Sequence, residues 1–172
     1  MQAASAGQNA RGLPSIKRKR GGLAVRVAVI SDTHGLLRPQ VLEELERCAC
    51  IIHAGDFDRE DVLRELEEIA PVYAVRGNND WWGRDLPRTL TFELEGVRFT
   101  MAHNRNDVSW RLAGVHVVVF GHSHQYCEER LDGRLWLNPG SCGYPRFRKE
   151  LTMAALELEN GRFRVERIPI VP

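Results

Sequence analysis

The chain has 172 residues, 43% of them hydrophobic and 27% charged, with a formal charge of +1. That length suits one domain with a sizeable core, and the composition is that of an ordinary globular protein. No apolar run approaches the roughly 20 residues that span a bilayer.

The near-neutral charge hides an asymmetry. Arg11, Lys17, Arg18, Lys19 and Arg20 lie in the first 22 residues, which contain no acid, so the remaining body is net negative. Residues 1–22 read as a disordered basic leader and residues 23–172 as a single domain. The segment "SIKRKRGG" could touch nucleic acid or an anionic surface. A solvated Ala/Gly/Gln/Ser arm is the favoured reading, and a negative body is a poor general nucleic-acid binder. No apolar stretch like a signal peptide's opens the chain, which points to the cytoplasm. Cys48, Cys50, Cys127 and Cys142 form neither a CxxC pair nor a disulfide framework and read as reduced thiols.

In chain order, "LAVRVAVIS" (Leu23 to Ser31) reads as a buried strand. "PQVLEELERC" places Val41, Leu42, Leu45 and Cys48 at helical spacing. A short strand, "ACIIHAG", leads to a second helix whose Val62, Leu63, Leu66 and Ile69 share a face, and "PVYAVRG" is the third strand. This βαβαβ order predicts a parallel sheet with right-handed crossovers. The second half changes character. "RTLTFELEGVRFTMAH" predicts a hairpin turning at Glu95-Gly96. A short helix is expected over Asp107 to Ala113, then a buried strand over Val117 to Phe120. Further hairpins turn at Asp132-Gly133 and Asn160-Gly161. Two stacked sheets with helices outside follow.

What ends each strand is more informative than the strands. The first runs into "SDTHG" with Asp32 and His34, the second into "GD" with Asp56, the third into "GNND" with Asn78. The hairpin strand ends at His103 and the next at His122 and His124. Carboxyl ends of strands form the ligand crevice in open α/β sheets. Two carboxylates, one amide and four imidazoles are too many donors for one tetrahedral zinc, and they lack the thiolates of structural zinc sites. They suit two divalent ions with one carboxylate between them.

The series "SDTHG", "HAGD", "VRGNND", "AHN" and "FGHSH", followed by "LNPGSCGYPR", resembles the calcineurin-like metallophosphoesterase superfamily. Within it the similarity is to the small, single-domain, YfcE-like phosphodiesterases, and it runs from Val25 to about Ile168. The resemblance implies an α/β fold, a four-layer αββα sandwich of two mixed sheets flanked by helices. It implies Asp32, His34, Asp56 and His124 around one ion and Asp56, Asn78, His103 and His122 around the other, with Asp56 bridging. Manganese is the commonest metal of that branch, with nickel, iron and zinc as alternatives.

Two departures stand out. Asn79 occupies a position where many relatives have histidine, and Arg105 replaces the second histidine of Thr-His-Gly-His. Arginine can hold a phosphate oxygen but cannot usefully donate a proton. The general acid is therefore unassigned, and Arg105 and Asn78 are the candidates for holding a non-bridging oxygen.

The expected activity is hydrolysis of a small phosphodiester. A water shared by two ions about 3.5–4 Å apart would have its pKa lowered from 15.7 towards 7 and attack phosphorus in line. A phosphomonoesterase with the same site is the near alternative. A non-catalytic scaffold of the same fold, as in a retromer subunit, is the distant one. A homo-oligomer is a family-level expectation.

Other residues invite a role. His53 reads as a packing or supporting residue, Asp80 as support for a ligand, and Asn138 and Ser141 as braces of the rim. His116 gets no role at the site. Arg146 is open between phosphate contact and structure. Trp81 and Trp82 could stack on a base or aryl group, but filling the loop's own core or a subunit interface is the favoured reading.

Overall fold

The computed structural model describes residues 13, 14, 16, 24–145 and 150–171. The elements run β1 (Val25–Ile30), α1 (Pro39–Glu46), β2 (Cys50–His53), α2 (Glu60–Ile69), β3 (Val72–Ala74), β4 (Thr89–Leu94) and β5 (Val97–Ala102). A 3-10 turn (Arg105–Asp107) follows, then β6 (Val117–Val119), β7 (Tyr126–Leu131), β8 (Arg134–Pro139), β9 (Leu151–Glu159) and β10 (Arg162–Ile170). They form two mixed sheets of five strands, ordered β10-β9-β1-β2-β3 and β4-β5-β6-β8-β7. In the first, β1, β2 and β3 are parallel and β9 returns antiparallel beside β1. In the second, β5, β6 and β8 are parallel, and the edge strands β4 and β7 run antiparallel to their neighbours.

The two-residue period of a strand explains why β1 is apolar throughout. Val27 and Val29 face the space between the sheets, where they meet Phe92, Phe99, Met101 and Val119. Ala28 and Ile30 face the other way, onto Val41 and Leu45 of α1 and Val62, Leu63 and Leu66 of α2. Tyr73 stacks on Phe92 with ring centroids 4.3 Å apart, which locks the two sheets together near the β3 edge. Helix α1 starts on a proline at its first turn, and α2 carries Glu60 and Asp61 in its first turn, where the helix dipole favours them.

All three expected hairpin turns form. Each has two residues at positive φ: Glu95-Gly96, Asp132-Gly133 and Asn160-Gly161, the geometry that matches the strand twist. The expected helix over Asp107 to Ala113 does not form. Only the Arg105–Asp107 turn is helical there. Asn104 Oδ1 accepts from the Asn106 N–H and Ser109 Oγ from the Arg111 N–H. These local bonds compete with the helical ladder. The outer face of the second sheet is covered instead by Val108, Leu112 and Val115, packed on Val118 and Trp136. Among the described residues, both α-helices lie on the first sheet.

Part of the N-terminal arm is described and is packed. Ile16 rests against the inter-sheet core, and Tyr73 Oη donates to the Pro14 carbonyl at 2.7 Å. Arg11, Lys17, Arg18, Lys19, Arg20 and Arg146 lie outside the described residues. Among the described residues, no helix is long and apolar enough to cross a membrane. All four cysteines are free thiols.

Candidate metal centre

The tips of β1, β2, β3, β5 and β6 meet at one rim, and each delivers polar side chains through a tight loop. The Asp32 N–H donates to the Gly55 carbonyl at 3.0 Å and the His34 N–H to the Asp56 carbonyl at 3.1 Å, which clamps the loops after β1 and β2 together. Such packing demands unusual backbone. Asp32, His34, Asp56, Asp58, His122 and His124 all have positive φ, between 46° and 68°. Non-glycine residues adopt that region at a cost, and clusters of them mark functional sites. A Cβ at Gly77 would collide with the Asp56 carboxylate, so only glycine lets the β3 loop approach.

Two groups of potential ligand atoms result, each lying within 4.8 Å: Asp32, His34 and His124, and Asp32, Asp56 and His103. Asp32 belongs to both. Asp56 also touches both, with Oδ2 at 3.4 Å from His103 Nε2 and 3.9 Å from His34 Nε2. His103 Nε2 and His122 Nδ1 converge on Asn78 Oδ1 at 3.0 and 3.1 Å. All seven donors read from the sequence thus adjoin one centre.

His34 and His103 are oriented as ligands need to be. The Nδ1–H of His34 donates to Asp58 at 2.9 Å, and the Nδ1–H of His103 donates to the Ala54 carbonyl at 2.8 Å. Each ring then turns its Nε2 inward, the nitrogen at which a cation would replace a proton. His34 Nε2 and His124 Nε2 stand only 3.1 Å apart. Asp32 Oδ1 is buried and accepts no hydrogen bond, although His124 Nε2 is 3.2 Å away. Two imidazole nitrogens and a carboxylate oxygen without a hydrogen-bond partner, all facing one another, suit a cation. Hard oxygen and borderline nitrogen donors without thiolate suit divalent first-row ions.

Titration follows the same logic. Burial alone would raise the pKa of Asp56, but the hydrogen bond and charge of His103, with the Asn79 N–H, outweigh it and hold it at about 2. Asp32 likewise falls below its usual range, burial being overcome by His124 and His103. His103 moves up: burial opposes its charge, yet Asp56 and Asp32 outweigh burial. Positive charge is what this centre attracts.

A second ring of residues fixes the first. The Asp80 carboxylate accepts four backbone N–H bonds, from Gly77, Asp56, Phe57 and Asp58 at 2.8–3.0 Å. His53 is buried, with Nδ1 accepting from the Gly55 N–H and Nε2 at 3.1 Å from Thr33 Oγ1. Burial and the neighbouring His103 and His34 charges push its pKa down to about 3, so the ring is neutral. Asn138 Nδ2 donates to the Gly121 carbonyl and Ser141 Oγ to the Asp32 carbonyl, both at 2.9 Å. His116 accepts from the Arg98 N–H on the second sheet.

Sequence reasoning missed Asp58, the partner of His34, although "GDFD" places it two residues after Asp56. It also missed that Asn79 grips Asp56, through its backbone N–H at 2.9 Å and its side chain at 2.8 Å. Arg105 is not brought to the ligands. Its guanidinium pairs with Glu129 at 2.9 Å and lies over Phe120 and Trp136, on the outer face of the second sheet. The turn at Arg105–Asp107 points it there. The tryptophan pair divides: Trp82 packs into the helix-side core, edge-on to Phe57, while Trp81 is exposed.

Two clefts flank the centre. One, of about 310 Å³, is entered past His103, His122, Asn78 and Trp81. The other, of about 410 Å³, is entered past His124, Gln125 and Tyr126.

Residues 25–161 match the calcineurin-like phosphoesterase superfamily domain. A probable metallophosphoesterase of Methanothermobacter thermautotrophicus is 36% identical over 135 residues, covering 70% of this chain and 78% of the relative. A novel archaeal phosphodiesterase superimposes with a TM-score of 0.68 at 24% identity, over 84% of this chain and all of the other. Vps29 of Entamoeba histolytica, complexed with Zn2+, superimposes with a TM-score of 0.66 at 21% identity, over 84% of this chain and 98% of that one. A buried mixed oxygen and nitrogen centre at the tips of two stacked mixed sheets is thus joined to a family match over most of the chain. The protein belongs to the calcineurin-like phosphoesterase superfamily.

Proposed function

We propose that this chain is a divalent-metal-dependent phosphodiesterase that hydrolyses a small phosphoester at a dinuclear centre. The observation that carries the reading is the pair of ligand groups joined through Asp32, with Asp56 in reach of both. Asp32, His34, Asp56 and His124 would hold one ion, and Asp56, Asn78, His103 and His122 the other. Ions so held supply Lewis acidity towards a phosphoryl oxygen and lower the pKa of water towards about 7.

The chain's own residues do the rest. Asp58 and the Ala54 carbonyl keep the His34 and His103 rings in the ligating tautomer. Asp80 holds the β2 and β3 loops rigid, so the charges are in place before the substrate arrives. Asn79 is tied to Asp56 and has no proton to give a leaving group. A cleft on each side of the centre gives room for two ester arms, which favours a diester over a monoester. With no general acid in place, good leaving groups should react fastest.

The test is to strip the protein with chelator, add back single metals, and compare an aryl phosphodiester with the matching monoester. Metal-dependent turnover of the diester supports the reading. Preference for the monoester would redirect it to a phosphomonoesterase, and activity on neither with every metal would favour a non-catalytic role. Among aryl diesters, rates should fall as the phenol pKa rises; a flat dependence, with chemistry limiting, contradicts the missing acid.

A further inference from the structure

Trp81 is 76% exposed, an unusual position for the largest apolar side chain, and it stands three residues after Asn78. Its loop is not slack. Asp80 is pinned by four backbone donors, the Trp81 N–H donates to the Asn79 carbonyl at 3.1 Å, and Trp82 anchors the other flank in the core. The indole is therefore held outward on a braced support, lining the cleft that opens past His103 and His122. Arg76 and Arg88 line the same cleft, and neither forms an ion pair among the described residues. Arg76 Nε donates to the Asp80 carbonyl at 3.1 Å, which fixes the guanidinium beside the ligand loop. Asp107 is the one acidic side chain in the described lining. A flat aromatic face, two guanidiniums and three residues of the candidate metal centre line one cleft.

We propose that this cleft selects the substrate's organic arm. Trp81 stacks on a planar ring, and Arg76 and Arg88 hold a second anionic group on the same arm. The substrate class is then a nucleotide-type phosphodiester bearing an additional phosphate. The inference rests on the phosphodiesterase reading above, and it supplies what that reading leaves open. Stacking on an indole tolerates any base, because every base has a π-face. Guanidinium forks match phosphate oxygens in pairs.

Three esters with the same p-nitrophenolate leaving group separate the contributions: methyl p-nitrophenyl phosphate, the p-nitrophenyl ester of thymidine monophosphate, and that ester with a second phosphate on the sugar. Trp81→Ala should raise KM for both thymidine esters about tenfold relative to the methyl ester, and Trp81→Phe should restore most of it. Arg88→Gln should remove most of the advantage of the second phosphate. Equal losses on all three esters would mean that the loop is merely structural, and no change on any would mean that the cleft is idle; either overturns the proposal.

A binding readout keeps the two claims apart. Calorimetric titration with thymidine bisphosphate should weaken about tenfold in Trp81→Ala and in Arg88→Gln, with a far smaller change for inorganic phosphate. If the wild type hydrolyses no ester yet shows this pattern, the catalytic reading falls and the cleft stands. Equal affinities in the wild type and both variants overturn the cleft.

Discussion

The two halves of the centre are built differently. Around Asp32, His34 and His124 every ligand is buried, and each loop is tied to another by backbone bonds. Around His103, Asn78 and His122 the site opens: Asn78 and His122 are exposed and a cleft begins beside them. The closed half belongs mostly to the first sheet, which has helices behind it. The open half leans on the second sheet, whose outer face, among the described residues, is covered by a loop. In the proposed enzyme the closed half retains its ion more tightly, and the clefts on the two sides take the substrate's arms.

The sharpest way to break this contrast is to remove what the halves share. Asp56→Ala should abolish metal-dependent hydrolysis, by 10³-fold or more on the order of other lost metal and charge ligands, and loosen both ions. Metal analysis that finds two tightly held ions in this variant would sink the bridging role. Next in size is Asp80→Ala, which leaves four backbone N–H groups without an acceptor. At roughly 1–3 kcal/mol per unsatisfied buried donor, partly relieved by water, a loss of about 4 kcal/mol is expected in urea unfolding. A loss under about 1 kcal/mol would show that the loops are not held by this carboxylate.

Smaller effects sharpen the comparison. Asp58→Ala should weaken the closed-half ion about 10–100-fold by freeing the His34 ring, and leave the open-half ion nearly alone. His122→Ala should do the reverse. Competition with a chelator would read both, and equal loss at the two sites would erase the distinction.

A separate effect is a titration. His53 has its folded pKa at about 3, below the ordinary 6.5. The unfolded chain therefore binds this proton first, and the His53 contribution to stability declines as pH falls from about 6.5 towards 3. Nitrogen-15 NMR should show a neutral ring with its proton on Nε2 at pH 5; an imidazolium signal there would contradict the buried arrangement.

Much of this architecture is legible in the amino-acid order itself. The seven donors stand at strand ends because a strand tip is where backbone leaves the ladder and side chains can converge. Val27, Ala28, Val29 and Ile30 announce a strand buried on both faces, and three Gly-containing turns announce their hairpins. Other features depend on distant partners. Nothing in "LTMAALELE" says that β9 returns to pair with β1. A helix is expected over Asp107 to Ala113, but Asn104 and Ser109 spend their side chains on local bonds. Arg105 adjoins a ligand in sequence, yet Glu129 and Trp136 claim it from β7 and β8. The split of Trp81 from Trp82 is decided by where Phe57 lies.

The most direct test is anomalous diffraction from a crystal of the manganese-loaded protein. Two peaks are expected, one ringed by Asp32, His34 and His124 and the other by Asp56, His103, Asn78 and His122. A single peak, or peaks outside these residues, would contradict a dinuclear centre.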